Sequence, residues 1–309
     1  MEYGSKRRVA IICLPGLDGF LQWAERLGPC YEARVFLVSS LDDIKRAVEW
    51  CDIAFFEWAN ESAISGVPHA LHANKKTVVR MHSYEAFAGY LAQIPLTQVD
   101  RVILVGGHFR TIVNFEGVNT EVIPNGVDLN TIPLLSPDPG FEIAAVGAVS
   151  YKKNPAMLLQ IIEKLVRHDS RYRLHIAGEI QDPRFGLYLK QTVDKMGLEE
   201  NVLFYGHVPD MNEFYRGKNT LLHSSLQEGH CVSIIEAMAR GIPPVIHSFY
   251  GAEHQYDDDM LYLTVDEAVE MIIGQEGGLT GGYCRDYVER HGWTLQSQTE
   301  SFRKVFDAL

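Results

Sequence analysis

The chain reads as an α/β protein of two domains, each a parallel sheet covered by helices. Three observations predict this. Short β-rich runs alternate with helical stretches along the whole chain. A proline-rich segment, Ile132-Pro133-Leu134-Leu135-Ser136-Pro137-Asp138-Pro139-Gly140, interrupts that alternation, and its prolines deny backbone donors to sheet or helix. A length of 309 residues exceeds what one hydrophobic core usually organises.

Before the break, strands are expected at Arg8–Cys13, Val35–Val38, Ile53–Phe56, Thr77–Met81, Arg101–Val105 and Glu121–Ile123, with helices such as Leu41–Trp50 and Glu85–Gln93 between them. After it, strands are expected at Glu142–Gly147, Arg173–Ala177, Val202–Tyr205, Thr220–Leu222 and Pro244–His247. The helices there are Pro155–His168, Phe185–Met196, Met211–Tyr215 and Ser233–Arg240. The tail from Tyr283 to Leu309 reads as helix interrupted near Gly292-Trp293. Domains of 1–135 and 140–291 follow, and no short repeat or heptad run competes with this reading.

Composition narrows the function classes. A net charge of -12 and a pI near 5.4 argue against nonspecific nucleic-acid binding, which needs a basic surface, and against docking on anionic lipid. The run Lys6-Arg7-Arg8 reads as a solvated lead-in to the first strand. Five scattered cysteines without a C-x-x-C pair point to a reducing, cytoplasmic setting. The apolar run Val9–Leu14 stops at Pro15-Gly16, so it is expected as a buried strand and not a membrane span.

The most informative segment is Glu228-Gly229-His230-Cys231-Val232-Ser233-Ile234-Ile235-Glu236, followed by Ala237-Met238-Ala239-Arg240-Gly241-Ile242-Pro243-Pro244. A carboxylate and a glycine precede a helix, a second carboxylate sits on it, and Gly241 ends it. Eight helical steps leave the two carboxylates on similar sides but roughly 12 Å apart along the axis, so one ligand touching both is elongated. A sugar joined through a diphosphate to a ribose has that length. First-turn N–H groups near Cys231, Val232 and Ser233 would meet its phosphates, and the carboxylates would accept hydrogen bonds from hydroxyls.

The pattern E-x7-E followed by A-M-A-x-G-x-P resembles the signature of the retaining glycosyltransferases of family 4, which share the GT-B fold. Three further segments fall in that family's order: Val122-Ile123-Pro124-Asn125-Gly126-Val127-Asp128, Ala144-Ala145-Val146-Gly147 through Lys152-Lys153, and Asn201 through His207-Val208. The resemblance extends from about Val122 to His254 and is thinner before it. It implies two Rossmann-like domains with parallel sheets facing across a cleft, the first on the acceptor side and the second gripping the donor. It also sends a last helix, about 292–309, back to the first domain.

The same resemblance assigns residues. Glu228 would hold hydroxyls of the donor sugar, with a carboxylate stabilised by a helix terminus as the alternative. Glu236 would hold the ribose hydroxyls, against an exposed helical glutamate. Lys153, with Lys152 as a neighbour able to substitute, would neutralise the diphosphate and its growing charge during transfer. Gly229, His230, Cys231, Val232 and Ser233 would form the donor loop, joined by His207 and Val208. One departure stands out: the family usually has Arg after the glycine of its strand, and here Ala148 follows Gly147. Lysine does not restore a bidentate guanidinium, so either another basic residue enters the site, with Arg80 and Arg110 as candidates, or diphosphate binding is weaker, or catalysis is lost.

In the first half, Gly16 and Gly19 of Pro15-Gly16-Leu17-Asp18-Gly19 would let backbone approach the donor, or simply make a strand–helix turn. His82 matches a histidine that contacts the transferred sugar in many family members, or caps a strand end. Glu57 and Asn60, at a strand's carboxyl end, are acceptor candidates. The D-x-D of Asp257-Asp258-Asp259 reads as a solvated turn. His69 and His72 share a helix face without a third ligand, so no metal is expected, and no phosphate loop of the G-x-x-x-x-G-K-[ST] type occurs.

The expected activity is metal-independent, cofactor-free retaining transfer of a hexose-type unit. The donor would be a nucleoside diphosphate sugar, and the acceptor the hydroxyl of a carbohydrate, glycolipid or small molecule. A non-catalytic nucleotide-sugar-binding module and a sugar-nucleotide epimerase of the same fold are the alternatives.

Overall fold

The structure, a computed structural model, describes residues 6–274 and 280–309. It divides into two compact units, Met1–Gly126 with Gly292–Leu309, and Val127–His291.

The first unit contains β1 (Arg7–Cys13), β2 (Tyr31–Leu37), α1 (Leu41–Trp50), β3 (Ile53–Glu57), α2 (Glu61–His72), β4 (Lys76–Met81), β5 (Arg101–Leu104), α3 (Phe109–Ile112) and β6 (Thr120–Val122). Its six strands pair in the order β2-β1-β3-β4-β5-β6, all parallel. The central strands β1 and β3 are continuously apolar over Val9–Cys13 and Ile53–Phe56 because both faces are covered. On one face Phe56, Val79 and Val102 pack with Ala63 and Val67 of α2. On the other, Ile11, Phe55 and Val78 pack with Trp23.

One expectation fails here. Glu85–Gln93 is not a helix but two single turns, Tyr84–Ala86 and Leu91–Gln93. Gly89 between them adopts φ +73°, and the Glu85 carboxylate is drawn inward to accept from the N–H groups of Ala59, His82 and Ser83. Helix α2, which carries His69 and His72, forms over a stretch containing Gly66 and Pro68. Asn60 caps it, and Gly66 lies so close to Phe56 that a Cβ there would sit 2.2 Å from the ring.

The second unit contains β7 (Glu142–Val146), α4 (Pro155–His168), β8 (Arg173–Ala177), α5 (Pro183–Met196), β9 (Val202–Gly206), α6 (Met211–Tyr215), β10 (Thr220–His223), α7 (Val232–Ala239), β11 (Pro244–His247), β12 (Leu261–Tyr262), α8 (Val265–Ile273) and α9 (Gly281–Arg290). Its parallel strands pair in the order β12-β11-β10-β7-β8-β9. The core is built from Ile143, Leu174 and Leu222 on the strands and from Leu159, Ile162 and Leu165 on α4. Among the described residues no helix is long and apolar enough to cross a membrane.

The proline-rich segment belongs to the second unit, and the division falls at Gly126. Its carbonyls and amides are already engaged there. Arg285 donates to Ile132 O at 3.0 Å, Leu135 N–H donates to Arg240 O at 2.7 Å, and Asn219 donates to Asp138 O at 2.8 Å. Proline removed sheet donors without making the segment a free linker.

The final helix, α10 (Leu295–Asp307), completes the first unit. Its Phe302, Val305 and Phe306 are buried among Trp23, Phe55 and Ile11, with the Phe302 and Trp23 ring centroids 4.2 Å apart. Gln298 donates to Pro124 O at 3.1 Å, and a Cβ on Gly126 would meet Thr294 O at 2.4 Å. Phe302→Ala should therefore destabilise the first unit by about 3–5 kcal/mol, the usual cost of emptying a buried aromatic site. Urea unfolding measures it, and an unchanged midpoint would mean that α10 adds nothing to that core.

Candidate functional site

In a doubly wound sheet, the strand order reverses direction between two central strands, and the loops leaving their carboxyl ends diverge to open a crevice. In the second unit that point lies between β7 and β10. The loop after β7 carries Gly147, Ala148, Lys152 and Lys153; the loop after β10 carries Glu228 and leads into α7.

The backbone at this point needs glycine. Gly147 and Gly178, which follow β7 and β8, have φ of +141° and +152°, and a Cβ on Gly178 would lie 1.9 Å from Gly147 O. Beside them opens a pocket of about 310 Å³ lined by Gly147, Ala148, Gly178, Gln181, His207 and Val208. His207 and Val208 thus adjoin Ala148, where the resembling family carries its arginine.

Lys152 and Lys153 occupy a single turn, Tyr151–Lys153, that is tied to the opposite loop. Leu226 N–H donates to Lys152 O at 2.8 Å and the Ser224 hydroxyl to Lys153 O at 2.7 Å. This tie brings both ammonium groups onto the buried Glu228 carboxylate, Lys153 Nζ at 2.6 Å from Oε1 and Lys152 Nζ at 3.2 Å from Oε2. Burial alone would raise the Glu228 carboxyl, but Lys153, His223 and Lys152 outweigh it and hold it well below the usual range. Burial likewise opposes charge on Lys153, and the anionic neighbours Cys231 and Glu228 reverse that, raising its pKa. The Cys231 thiol is pushed up by burial and pulled further down by Lys153 and His223, to about 7.

Cys231 is the N-cap of α7, and no side chain caps that terminus. The N–H groups of Val232 and Ser233 therefore face outward from the first turn without an intrahelical acceptor, the arrangement that receives anions. Ser233 Oγ lies 3.2 Å from Cys231 Sγ, and the neighbouring Gly229 and His230 are buried. Farther along α7, Glu236 is half-buried. Its carboxylate accepts no hydrogen bond from the described residues, and burial raises its pKa against the partial counter-effect of Arg240.

Of the residues singled out in the sequence, Glu228, Lys152, Lys153 and Cys231 come together in one cluster, with Val232 and Ser233 directly beyond it. His223 belongs to it and was not anticipated. It ends β10, one residue past the expected strand, with Nε2 3.6 Å from Glu228 Oε1. The only available signal was a histidine at a strand's carboxyl end. Asp257 is engaged by Tyr283 and Tyr287, and no three-ligand group among the described residues includes His69 or His72.

In the first unit the sheet reverses between β1 and β3, whose carboxyl ends carry the Gly16–Gly19 turn and Glu57. A Cβ on either glycine would meet nothing within 4 Å, so that turn is open on its outer side. Glu57 is wholly buried, and its Oε1 accepts from Arg80 at 2.8 Å and meets His82 Nε2 at 2.7 Å. Arg80 also donates to Asn125, and Arg110 donates to Thr120, so both candidate replacement arginines are committed inside this unit. His82 stacks on Trp58 at 3.8 Å, and Trp58 holds a left-handed φ of +83°, a strained state for a bulky residue. Asn60 spends its carbonyl capping α2 and its amide on the Tyr84 hydroxyl. These partners give Glu57 and Asn60 structural work of their own.

A family model described as Glycosyl transferases group 1 matches residues 131–271. Over 228 residues the chain is 25% identical to a component of the phosphatidylinositol N-acetylglucosaminyltransferase of Arabidopsis thaliana, covering 69% of this chain and 50% of that protein. The crystal structure of Anabaena HepE in complex with UDP and glucose is similar with a TM-score of 0.80 at 16% identity, covering 98% of this chain and 100% of that one. Sucrose-phosphate synthase from Thermosynechococcus elongatus is similar with a TM-score of 0.76 at 15% identity, with coverage of 98% and 100%. The chain spans half or less of the length of the curated relatives it matches. Its two six-stranded parallel sheets with their helices have the GT-B fold.

The buried pair in the first unit has measurable consequences. Arg80→Met strands a buried carboxylate and should cost about 3–5 kcal/mol in urea unfolding, whereas Glu57→Gln combined with Arg80→Met should recover much of that. Burial raises the Glu57 carboxyl, but Arg80 and His82 hold it below its ordinary 4.5. A carboxyl depressed in the folded state contributes stability that is complete above its unfolded value and lost as pH falls through the folded one. Stability should thus fall below pH about 4.5 more steeply in the natural chain than in Glu57→Gln; equal slopes would remove the pair from the account.

Proposed function

We propose that this chain carries a glycosyltransferase group 1 domain on its GT-B fold and transfers a hexose-type sugar with retention from a nucleoside diphosphate sugar to an acceptor hydroxyl. The observation that carries the reading is the cluster at the β7–β10 reversal: an uncapped helix N-terminus beside two lysines that converge on a buried carboxylate. A diphosphate needs N–H donors and cations, and a sugar needs a carboxylate acceptor; both lie within a few residues of each other.

In this reading the α7 N–H groups and Lys153 hold the diphosphate, with Lys152 beside it. Glu228 accepts from hydroxyls of the sugar and Glu236 from those of the ribose. The acceptor oxygen bonds to the anomeric carbon on the face from which the phosphate oxygen departs, and the departing phosphate takes the acceptor's proton. Lys153 stabilises the charge that grows on the leaving group, an effect preorganised by its fixed place against Glu228. HepE was crystallised with UDP and glucose, so UDP-glucose is the first donor to test. The acceptor is the hydroxyl of a carbohydrate, glycolipid or small molecule, and His82, Glu57 and Asn60 are the first unit's candidate contacts.

Ala148 favours a second reading, a nucleotide-sugar-binding module without transfer, because the family's guanidinium is missing beside the pocket. Release of nucleoside diphosphate that rises with added acceptor separates the two; saturable binding without release would establish the module.

Variants sharpen the assignment. Glu228→Ala should cut turnover of the sugar nucleotide yet leave affinity for bare UDP equal or higher, since it loses sugar contacts but frees two lysines. Glu236→Ala should weaken both UDP and UDP-glucose by about 1–3 kcal/mol. Ala148→Arg should tighten UDP, because the pocket beside it is roomy enough for a guanidinium, about 310 Å³. Calorimetric titration of UDP reads all three, and unchanged affinity in both Glu236→Ala and Ala148→Arg would sink the donor site. Activity should survive EDTA; strict dependence on manganese would count against lysine and helix N–H groups as the phosphate partners.

A further inference from the structure

The end of β10 and the start of α7 also bring together a metal-type donor set of which the sugar-transfer reading uses only Glu228. His223, Glu228 and Cys231 are 5%, 6% and 4% exposed, and each offers one ligand atom within 4.8 Å of the other two. Neither ring nitrogen of His223 comes within 3.5 Å of a hydrogen-bond partner among the described residues, although both are buried; Nε2 stands 3.6 Å from Glu228 Oε1. A buried imidazole left this way costs stability unless something else uses its lone pair.

We propose that His223, Glu228 and Cys231 form an inhibitory site for a soft divalent cation of the zinc type. One nitrogen, one sulfur and one carboxylate oxygen are the ligand classes that zinc accepts together, and three protein ligands leave a fourth position open. Two ligands sit on the fixed ends of regular elements, His223 closing β10 and Cys231 capping α7, so the set is held by the fold. A small cavity of about 30 Å³ adjoins it, lined by Lys153, His223, Ser224, Ser225 and Ser233, with room for a metal-bound water.

The site is conditional because Glu228 is already occupied. Its Oε1 lies 2.6 Å from Lys153 Nζ and 3.6 Å from His223 Nε2. A cation bridging His223, Cys231 and Glu228 takes that oxygen from Lys153, and the Cys231 thiol proton passes to solvent. Lysine and metal are therefore competitors for one carboxylate. Inhibition, though not metal binding itself, rests on the donor-site reading: the cation removes the carboxylate and the ammonium from the sugar and diphosphate together.

The test uses the full chain, stripped with EDTA, in a Cys30→Ser background to remove the one exposed thiol. Titrated cobalt should produce near-ultraviolet thiolate-to-cobalt absorption that saturates at one equivalent and is displaced by zinc. Cys231→Ser should abolish that absorption, and His223→Gln should weaken cobalt binding at least tenfold, with circular dichroism confirming that both variants fold. Lys153→Met should tighten cobalt binding, which a site unconnected to Glu228 would not show. No thiolate absorption in the folded background protein, or absorption that survives Cys231→Ser, overturns the site. If His223→Gln fails to fold, the Cys231→Ser and Lys153→Met results decide alone. Zinc should also slow turnover of UDP-glucose, with at least tenfold lower sensitivity in Cys231→Ser than in the background protein. Saturating zinc that displaces cobalt yet leaves turnover unchanged overturns inhibition, while loss of the donor-site reading through the UDP titrations leaves the cobalt result standing.

Discussion

The Glu228 carboxylate, buried and held between two lysine ammonium groups, is the interaction around which the second unit arranges its working edge. An isolated carboxylate in that position would be strongly disfavoured, and two isolated lysines would be little better. Together they are compatible with burial, and they oblige the loop after β7 and the loop after β10 to meet. The Leu226 and Ser224 hydrogen bonds to the Lys152 and Lys153 carbonyls are the backbone side of the same constraint. Helix α7 is delivered with its N-terminus beside the lysines, so cationic side chains and helix N–H groups share one small region.

Sheet topology makes this meeting possible. Because β7 and β10 are neighbours while their loops leave in opposite directions, the chain opens at their carboxyl ends, and the Gly147–Gly178 approach keeps side chains from closing it. The first unit has a reversal of the same kind, with one strand instead of two on its far side and a different filling. There the reversal between β1 and β3 is plugged by Arg80, Glu57 and His82, with Trp58 and His82 stacked over them. Those groups are mutually satisfied except for Glu57 Oε2 and Arg80 Nε, and the left-handed Trp58 is held in place by its hydrogen bond to Leu17 O and by the stacked imidazole. One unit thus leaves polar capacity facing outward from a helix end, while the other spends most of it internally.

The amino-acid pattern by itself determined the α/β class, the two series of parallel strands and the helical tail broken near Gly292. Each follows from local periodicity, proline and glycine, which act over a few residues. It also marked Glu228 and the α7 N-terminus, since helix starts and stops are written in adjacent residues, whereas Lys152 and Lys153 were singled out through the family resemblance. Glu85–Gln93 was misread because the decisive contact, the Glu85 carboxylate turned onto the Ala59 and His82 amides, spans up to 26 residues. Only the tertiary structure could decide that the proline-rich segment is bound to the second unit, that Glu57 and Asn60 have internal partners, and that His223 completes the Glu228 and Cys231 cluster. Those outcomes depend on which strand ends become neighbours when the sheet winds, and that is a long-range choice no local pattern encodes.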